Sequence, residues 1–437
     1  GQDDRQDHGD DDGAHGRRVA SRRPMADQHR GLRFMTRFQC LGSACDDPCC
    51  LHWQIPVDEP HLRKIASALG DTPELARAVR RLPVVDQAPH RTADMALDEQ
   101  GRCTMLEADN LCSLHRRFGE DVLGDQCATY PRTISRLGTQ LEMSGATSCP
   151  EVARLCLLAE DAVDVVPFEA SRFSRPVFTH DLDDPRTGRF AEVRALLVEL
   201  LRAPYPMATR QAFVAAFADH TAAYLHRDVE IDHAHLDASL ALFRDPRTLE
   251  RLHRDLSAAK TDPAFAVTVV LAVFDAASGP EHSRFGALVS RVKSRYATAM
   301  KKGALDPARV ATQFARRRAE LPQHLVDRFE LHLRNAAIND VYQDWHTDTP
   351  SLLDLVTLHL VQHAVVCFLV ISHPDTSRAC RAPAVDGLAL LDAATIASVS
   401  SFSRAAHHSG GLGARIMRNL AGGGMQTAAH LFSLARL

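Results

Sequence analysis

Apolar residues recur at helical spacing over most of the chain from residue 190 onward. Positions three and four apart lie on one face of a helix, so this pattern predicts amphipathic or buried helices. The predicted helices span residues 190–201, 210–225, 236–256, 263–277, 284–300, 307–318, 324–340, 351–371 and 392–408. Turn-rich stretches at 173–176 and 375–383 are predicted linkers. The second part of the chain is therefore expected to be all-helical.

The pattern before residue 165 is shorter in range and less regular. Cysteines alternate with turn signals, and the helical pieces are brief, such as 61–69. Residues 95–106 place Gly101 between two short apolar segments, which predicts a β-hairpin that delivers Cys103. The fold class is thus mainly α, with three predicted parts: a disordered tail at 1–24, a cysteine-rich metal-binding domain at 25–165 and an α-helical domain at 166–437.

Composition excludes several classes. With 45% hydrophobic and 24% charged residues the chain is an ordinary globular protein, and a net charge of −4 gives no basic footprint for nucleic acid. The first 24 residues contain no apolar export segment, which predicts a cytoplasmic location. The apolar run 355–371 is interrupted by His359, Gln362 and His363 and is slightly short for a bilayer. It predicts a buried helix and no transmembrane segment, and leaves peripheral membrane association open.

Nine of the eleven cysteines lie between Cys40 and Cys156. The candidate metal ligands form two clusters: Cys40, Cys45, Cys49 and Cys50, then Cys103, Cys112, Cys127 and Cys149. Thiolate-rich sites suit zinc or iron–sulfur clusters. Because the spacing is uneven and contains no CxxC pair, a [4Fe–4S] cluster is favoured, with zinc as the alternative metal. Cys156 and Cys367 lie in apolar segments and are expected to pack in the core.

These cysteines belong to a wider pattern. It runs Phe38-x-Cys40-x-Gly42-x-x-Cys45-x-Asp47-x-Cys49-Cys50-x-x-Trp53, then Cys103-x-x-Leu106 to Leu111-Cys112, Cys127-x-x-Tyr130-Pro131-Arg132 and Ser148-Cys149-Pro150-Glu151-x-Ala153-Arg154. The pattern resembles the flagellin lysine-N-methylase family, with a broader likeness to small cysteine-cluster proteins. Weaker helical signatures at 329–335 and 401–407 extend the likeness to about residue 408.

The resemblance implies an enzyme that transfers a methyl group from S-adenosyl-L-methionine to lysine amines of flagellin, or of another lysine-bearing protein surface, with a [4Fe–4S] cluster taking part. The sequence shows no Gly-rich loop between a strand and a helix, so such an enzyme would use a scaffold other than the doubly wound one. The competing hypothesis is a non-catalytic cysteine-cluster protein that binds iron–sulfur or zinc for structure, electron transfer or partner binding.

Tyr130 and Arg132 are the candidate cofactor-binding residues, because they follow Cys127 and a guanidinium can neutralise a cofactor carboxylate. An ordinary structural salt bridge of Arg132 is an equal alternative. Glu142 and Glu151 are candidate bases for a lysine ammonium. No residue is assigned a catalytic role from the sequence.

Two further pairs have competing interpretations. His359 and His363 are four residues apart on one helical face, as metal-binding pairs often are, but a core or interface position is favoured because no third ligand is nearby. Arg404 and His407 lie in a segment that carries the family resemblance, although a cation near a helix terminus is the simplest account of them.

Overall fold

The computed structural model describes residues 29–88, 91–169, 175, 178–181, 183–223, 225–277, 283–344, 349–408 and 411–437. Within these residues the protein is mainly α, which confirms the predicted fold class. The predicted tail at 1–24 and most of the predicted linker at 173–176 lie outside the described residues.

The first part of the chain contains short helices and most of the strands. Its helices are α1 Arg33–Thr36, α2 Glu59–Leu69, α3 Pro73–Ala78, α4 Ser113–Phe118, α5 Asp125–Thr129 and α6 Pro150–Leu158. Its strands are β1 Arg30–Leu32, β2 Pro56–Val57, β3 Val79–Arg81, β4 Ala93–Met95, β5 Arg132–Leu137, β6 Gln140–Gly145, β7 Val165–Pro167 and β8 Phe178–His180.

The remainder is built almost entirely from helices. They are α7 Pro185–Arg202, α8 Met207–Thr221, α9 His233–Arg244, α10 Pro246–Ala258, α11 Pro263–Ala277, α12 Arg284–Ser294, α13 Pro307–Ala319, α14 Gln323–Gln343, α15 Leu352–Ser372, α16 Pro374–Ala379, α17 Ala384–His408, α18 Leu412–Gly422 and α19 Ala428–Ala435. A small strand pair, β9 Met300–Lys301 and β10 Ala304–Leu305, interrupts them, so this part is not purely helical. The predicted linker at 375–383 is wrong in part, because α16 occupies its first half.

Side-chain caps set where several of these helices begin. The Asp184, Asp245 and Asp306 carboxylates accept backbone N–H groups of the first turns of α7, α10 and α13, and a proline follows each of them. Such caps satisfy N–H groups that have no partner within the helix, and proline at the first helical position loses no hydrogen bond.

Two sheets organise the first part of the chain. Five strands pair in the order β7-β1-β6-β5-β8, with β5 and β6 forming an antiparallel hairpin, and three pair in the order β2-β4-β3. At Gly145 a Cβ atom would lie only 2.4 Å from the Met35 sulfur, so this end of β6 requires glycine. The larger sheet is thereby held close to α1 and α6.

The protein has two hydrophobic cores. The smaller lies between Trp53 and Tyr130 in the sequence and contains the three-stranded sheet and α2. The larger combines the helices with apolar residues of β1, α1, β5, β6 and α6. The predicted domain boundary near residue 165 does not follow this division, because residues 32–38 and 134–163 pack into the larger core.

The most apolar helix is central to the larger core. α15 has 21 residues, and 89% of its most apolar window is buried inside the protein. It is longer than the run predicted from the sequence, and by length and composition both it and residues 384–406 of α17 could cross a membrane. The absence of a transmembrane segment therefore stays a prediction, although α15 is buried in the protein as expected.

Candidate metal centre

Five separate segments bring the candidate thiols together. The loop between α1 and β2 holds Cys40 to Cys50, and the predicted hairpin closes through a bridge between Leu97 and Cys103, with Gly101 at φ +74° in its turn. The Cys103 backbone N–H donates to the Cys50 carbonyl at 2.8 Å, which joins the two segments. Cys112 and Cys149 immediately precede α4 and α6, and Cys127 lies in α5.

Electrostatic interactions divide these thiols into two neighbourhoods. Cys50, Cys103, Cys112 and Cys127 form the first, in which Cys127 interacts with both Cys103 and Cys112. Cys40, Cys45 and Cys149 form the second, through interactions of Cys45 with Cys40 and of Cys149 with Cys45. Cys49 interacts with members of both. The structure thus brings all eight predicted ligands into one region, and their role as ligands stays a prediction.

The adjacent thiols of Cys49 and Cys50 are not equivalent. Their side chains are hydrogen-bonded to each other, which lowers the pKa of Cys49 to about 7 and raises the pKa of Cys50. The charge of Arg404 adds to the lowering at Cys49. Cys49 is therefore the thiol of this pair that is ionised near neutral pH.

Burial opposes ionisation at the other thiols of the centre. It raises the pKa of Cys103 and of Cys149 to about 11, and it also raises that of Cys112. The backbone N–H groups of the first turns of α4 and α6 act in the opposite direction at Cys112 and Cys149. A bound metal or cluster would supply the positive charge that such buried thiolates need.

The spread of the thiols can be compared with the size of a metal site. Tetrahedral zinc, with Zn–S bonds of about 2.3 Å, holds its four sulfurs about 3.8 Å from one another. Among the described residues, which include every cysteine, no three thiol sulfurs lie within 4.8 Å of one another. This spacing is wider than that of one closed tetrahedral zinc site.

A different group of ligand-type atoms does lie within 4.8 Å: those of Asp58, His61 and Asp125. The Arg175 guanidinium occupies the position of a cation there, since its Nη1 lies 2.9 Å from His61 Nε2 and 3.3 Å from Asp125 Oδ1. Asp58 Oδ1 lies 2.6 Å from His61 Nδ1 on the other side of the ring. This group is an ion-paired network that holds Arg175 against the smaller core.

Arg404 of α17 reaches the cysteine loop from the far end of the sequence. Its Nη1 donates to Asp47 Oδ1 at 2.8 Å, and its Nη2 donates to the Asp47 and Ser148 carbonyls at 3.3 and 3.4 Å. Arg284 of α12 donates to the Asp46 carbonyl and lies 3.6 Å from Asp47 Oδ1. Arg404 does lie near the end of α17, as the interpretation of a helix-terminal cation predicted, and in addition it binds the cysteine loop. The side chain of His407 lies outside the described residues.

The predicted cofactor residues lie beside the thiols. The Tyr130 hydroxyl is 3.2 Å from Ser148 Oγ, its ring packs 5.3 Å from that of Trp53, and burial raises its pKa. The Trp53 indole N–H donates to the Cys49 carbonyl. The Arg132 guanidinium lies 5.2 Å from the centre of the Phe38 ring, and burial lowers its pKa. Their cofactor-binding role stays a prediction.

Both candidate bases are engaged by arginines. Arg194 donates to Glu142 at 2.6 Å in a buried pair, and Arg154 contacts both oxygens of Glu151 at 2.7 Å. Neither carboxylate is thus a free base.

His359 and His363 are both buried in α15, as the core interpretation predicted. His359 Nε2 lies 3.1 Å from Asp344 Oδ2, and His363 Nε2 lies 3.5 Å from the Cys367 sulfur. Cys156 and Cys367 are buried as well. Asp47 belongs to the pattern that carries the family resemblance, but the sequence did not indicate its pairing with Arg404. Asp340 was not indicated, since a single aspartate in a long helix carries no spacing signal.

Comparison with known proteins agrees with the motifs. The chain is 30% identical over 131 residues to a lysine-N-methylase of Salmonella typhimurium and 29% identical over 131 residues to one of Salmonella choleraesuis. The chain resembles the lysine-N-methylases. It is also 28% identical over 142 residues to the flagellar biosynthetic protein FliU of Salmonella muenchen, of which the match covers 83%.

These similarities are partial. Each lysine-N-methylase match covers 30% of this chain and 32% of the relative, so the chain matches about a third of the length of these lysine-N-methylases. No family model matches the chain, and no solved structure matches it. The predicted resemblance to the flagellin lysine-N-methylase family is confirmed over this extent.

Proposed function

We propose that this protein is an S-adenosyl-L-methionine-dependent protein-lysine N-methyltransferase that holds an iron–sulfur cluster. The observation that carries the proposal is the 30% identity to a lysine-N-methylase over 131 residues. The gathering of eight thiols from separate segments beside Arg404 supports the metal part of the proposal, because thiolate-rich sites bind iron–sulfur clusters or zinc. The similarity to a lysine-N-methylase supports the transferase part.

The cluster would be held by thiolates of the eight-cysteine set, whose two neighbourhoods meet at Cys49. When bound, such a cluster supplies a redox-active iron centre and positive charge for the buried thiolates. Arg404 and Arg284 position the loop that carries Cys45, Cys49 and Cys50 by binding Asp46 and Asp47. The backbone N–H groups at the start of α6 favour ionisation of Cys149.

The methyl donor would lie beside this centre, where S-adenosyl-L-methionine supplies an electrophilic methyl group. Arg132 would neutralise a carboxylate of the donor, and Tyr130 would offer a neutral hydroxyl, since burial keeps its pKa above the ordinary value. The acceptor is a lysine amine, which must be held without its extra proton because only the neutral amine has a lone pair for attack.

The proposed substrate is flagellin or another protein that displays surface lysines, in the cytoplasm and without a nucleic-acid partner. The likeness to a flagellar biosynthetic protein supports this substrate class. A net charge of −4 is compatible with approach to a lysine-rich surface.

The first experiment is anaerobic purification followed by iron, sulfide and zinc analysis of the wild type, Cys127→Ser and Cys380→Ser. Cys380 is a half-buried thiol outside the set and is the matched control. We expect about four irons and four sulfides per cluster, lost in Cys127→Ser and kept in Cys380→Ser. Stoichiometric zinc without sulfide would contradict the cluster.

The second experiment incubates the loaded protein with labelled S-adenosyl-L-methionine and purified flagellin, and locates the label by mass spectrometry. Methyl groups on lysine side chains, absent with Cys127→Ser, are the expected result. A protein that keeps its metal but labels neither flagellin nor other lysine-rich proteins would support the non-catalytic cysteine-cluster alternative.

A further inference from the structure

A small cavity lies in the larger core, between α8, α14, α15 and α17 and the loop that joins β6 to α6. Its volume is about 50 Å³. Seven polar side chains contribute to its wall: Thr147, Gln211, Asp340, His359, Gln362, His363 and Ser403. Five of them are at least nine-tenths buried, and Asp340 and Gln362 are half-buried. So many polar groups in an apolar helical core call for a ligand or water.

Most of these polar groups are hydrogen-bonded to another side chain. The Thr147 hydroxyl donates to Ser403 Oγ at 3.1 Å, Gln211 Nε2 lies 3.4 Å from His363 Nδ1, and His359 Nε2 lies 3.1 Å from Asp344 Oδ2. Asp340 and Gln362 are the exceptions, because the described residues offer neither side chain a hydrogen-bond partner. A carboxylate in that position needs a donor from a bound molecule.

The charges at the cavity favour a cation. Burial lowers the pKa of His363 to about 4, so this imidazole is neutral. Burial acts the same way on His359, but its hydrogen bond to Asp344 and the charges of Asp344 and Asp340 outweigh it and raise its pKa. The carboxylates of Asp340 and Asp344 therefore stabilise positive charge in this part of the core. Burial raises the pKa of Asp340 to about 7, because removing the carboxylate from water disfavours its charged form.

Size limits the ligand. A volume of about 50 Å³ holds a few water molecules or the end of a side chain, and it cannot hold a nucleoside cofactor. A second cavity of about 300 Å³ shares Gln362 and Phe402 with the first and is lined mainly by apolar side chains, including Leu355, Leu358 and Ile416. The second cavity, the apolar channel, thus shares part of its wall with the first and has room for a chain of methylene groups.

The first cavity is also lined by segments that hold residues of the metal centre. Thr147 lies two residues before Cys149, and Ser403 precedes Arg404, whose guanidinium donates to the Ser148 carbonyl. The segments that line the cavity therefore continue directly into residues of the metal centre.

We propose that this cavity, the ammonium chamber, binds the primary ammonium group of a lysine side chain, with Asp340 as its counter-ion and the apolar channel holding the methylene groups. This inference rests on the proposed lysine methyltransferase function and deepens it, since it names the site that takes the acceptor. It also provides the base that the sequence left unassigned.

The chemistry in the chamber is a single proton transfer. The bound ammonium donates a hydrogen bond to an Asp340 oxygen, then the N–H bond breaks and an O–H bond forms, which leaves the lone pair on nitrogen. Asp340 suits this step because its environment favours the protonated carboxyl more than water does. Thr147 and Ser403 can accept the remaining N–H groups through their hydroxyl oxygens.

The test measures binding of n-butylammonium to the full-length, metal-loaded protein by calorimetry, with n-butanol as the uncharged ligand of similar length. We expect saturable binding of the amine and none of the alcohol. Asp340→Asn should weaken amine binding at least about tenfold, because the counter-ion is lost. Asp327→Asn, an exposed aspartate on the same helix, is the control and should bind as the wild type does.

A second variant separates loss of the site from loss of the fold. Ala337→Val adds two carbons to the cavity wall without removing a polar group, and should block the amine while the melting temperature and iron content stay near wild type. If both variants bind the amine as the wild type does, the ammonium-chamber proposal is overturned, even if the protein methylates lysine. If both variants lose amine binding but the wild-type protein shows no methyltransferase activity, the ammonium chamber is supported and the proposed function is overturned.

Discussion

The Arg404 guanidinium donates to the Asp47 carboxylate at 2.8 Å, although 357 residues separate them in the sequence. Both side chains are largely buried, and Arg404 also reaches carbonyls of Asp47, Pro48 and Ser148. The helical part of the protein thereby holds both the first cysteine loop and the segment before Cys149. We expect formation of the proposed metal centre to depend on this long-range contact.

Replacing Arg404 by alanine should lower both stability and metal content. Removing one partner of a buried ion pair leaves the other without compensation, which costs about 3 kcal/mol of unfolding free energy. Arg284, 3.6 Å from the same carboxylate, offsets only part of this loss. Urea unfolding and iron analysis of Arg404→Ala provide the measurement.

Arg378→Ala is the matched control for that variant. Arg378 pairs with Asp375 at 2.8 Å on the surface, where an ion pair contributes less than about 1 kcal/mol. Equal effects of the two substitutions would mean that the Arg404 contact does not organise the centre.

Helix positions were predictable where local signals were strong. α11 has the bounds expected from its periodicity, 263–277, because Pro263 can begin a helix and its apolar face is continuous. Residues 236–256 were predicted as one helix but form α9 and α10. Pro246 has no N–H group to continue a helix, and Asp245 caps the second one.

The composition of the centre was predictable, whereas its surroundings were not. Cysteines at short spacing in the sequence indicate candidate metal ligands without any knowledge of the fold. The contact of Arg404 with Asp47 and the position of Asp340 in a cavity depend on how α14, α15 and α17 pack, and a single sequence carries no record of that packing.

Cys49 should be the first thiol to react in metal-free protein. Its hydrogen bond with Cys50 lowers its pKa to about 7, while burial raises those of Cys103 and Cys149 to about 11. The thiolate is the reactive form. Brief iodoacetamide treatment at pH 7.5, followed by peptide mass spectrometry, should show Cys49 modified at least about tenfold faster than Cys103.

Arg404→Ala should slow that modification, since the charge of Arg404 helps to lower the pKa of Cys49. Cys40 is also exposed and reports on general access of the reagent. If Cys103 reacts as fast as Cys49, the thiol environments described above do not persist in solution.

Asn335 should be a major contributor to stability. Its fully buried amide Nδ2 donates to the carbonyls of Cys156, Leu157 and Ala159 at 3.0, 3.3 and 2.8 Å, which satisfies the end of α6. Asn335→Ala leaves those buried carbonyls without a donor and should cost about 2–4 kcal/mol in urea unfolding. Asn419→Ala, at an exposed position, should change the free energy by less than about 0.5 kcal/mol.

Asp340 should make the stability of the protein depend on pH. Burial raises its folded-state pKa from 3.8 to about 7, so the folded protein holds this proton more tightly than the unfolded chain does. Folding is then penalised progressively as pH rises from about 4 to about 7, and the penalty is complete above that range.

Asp340→Asn removes this titrating group and its penalty. The variant should therefore lose less stability than the wild type between pH 5 and pH 8 when urea midpoints are compared at each pH. Asp327→Asn should follow the wild-type curve. Because His359 and Asp344 face the same carboxylate, a curve for Asp340→Asn that parallels the wild type would mean that these neighbours, and not Asp340, govern titration of the cavity.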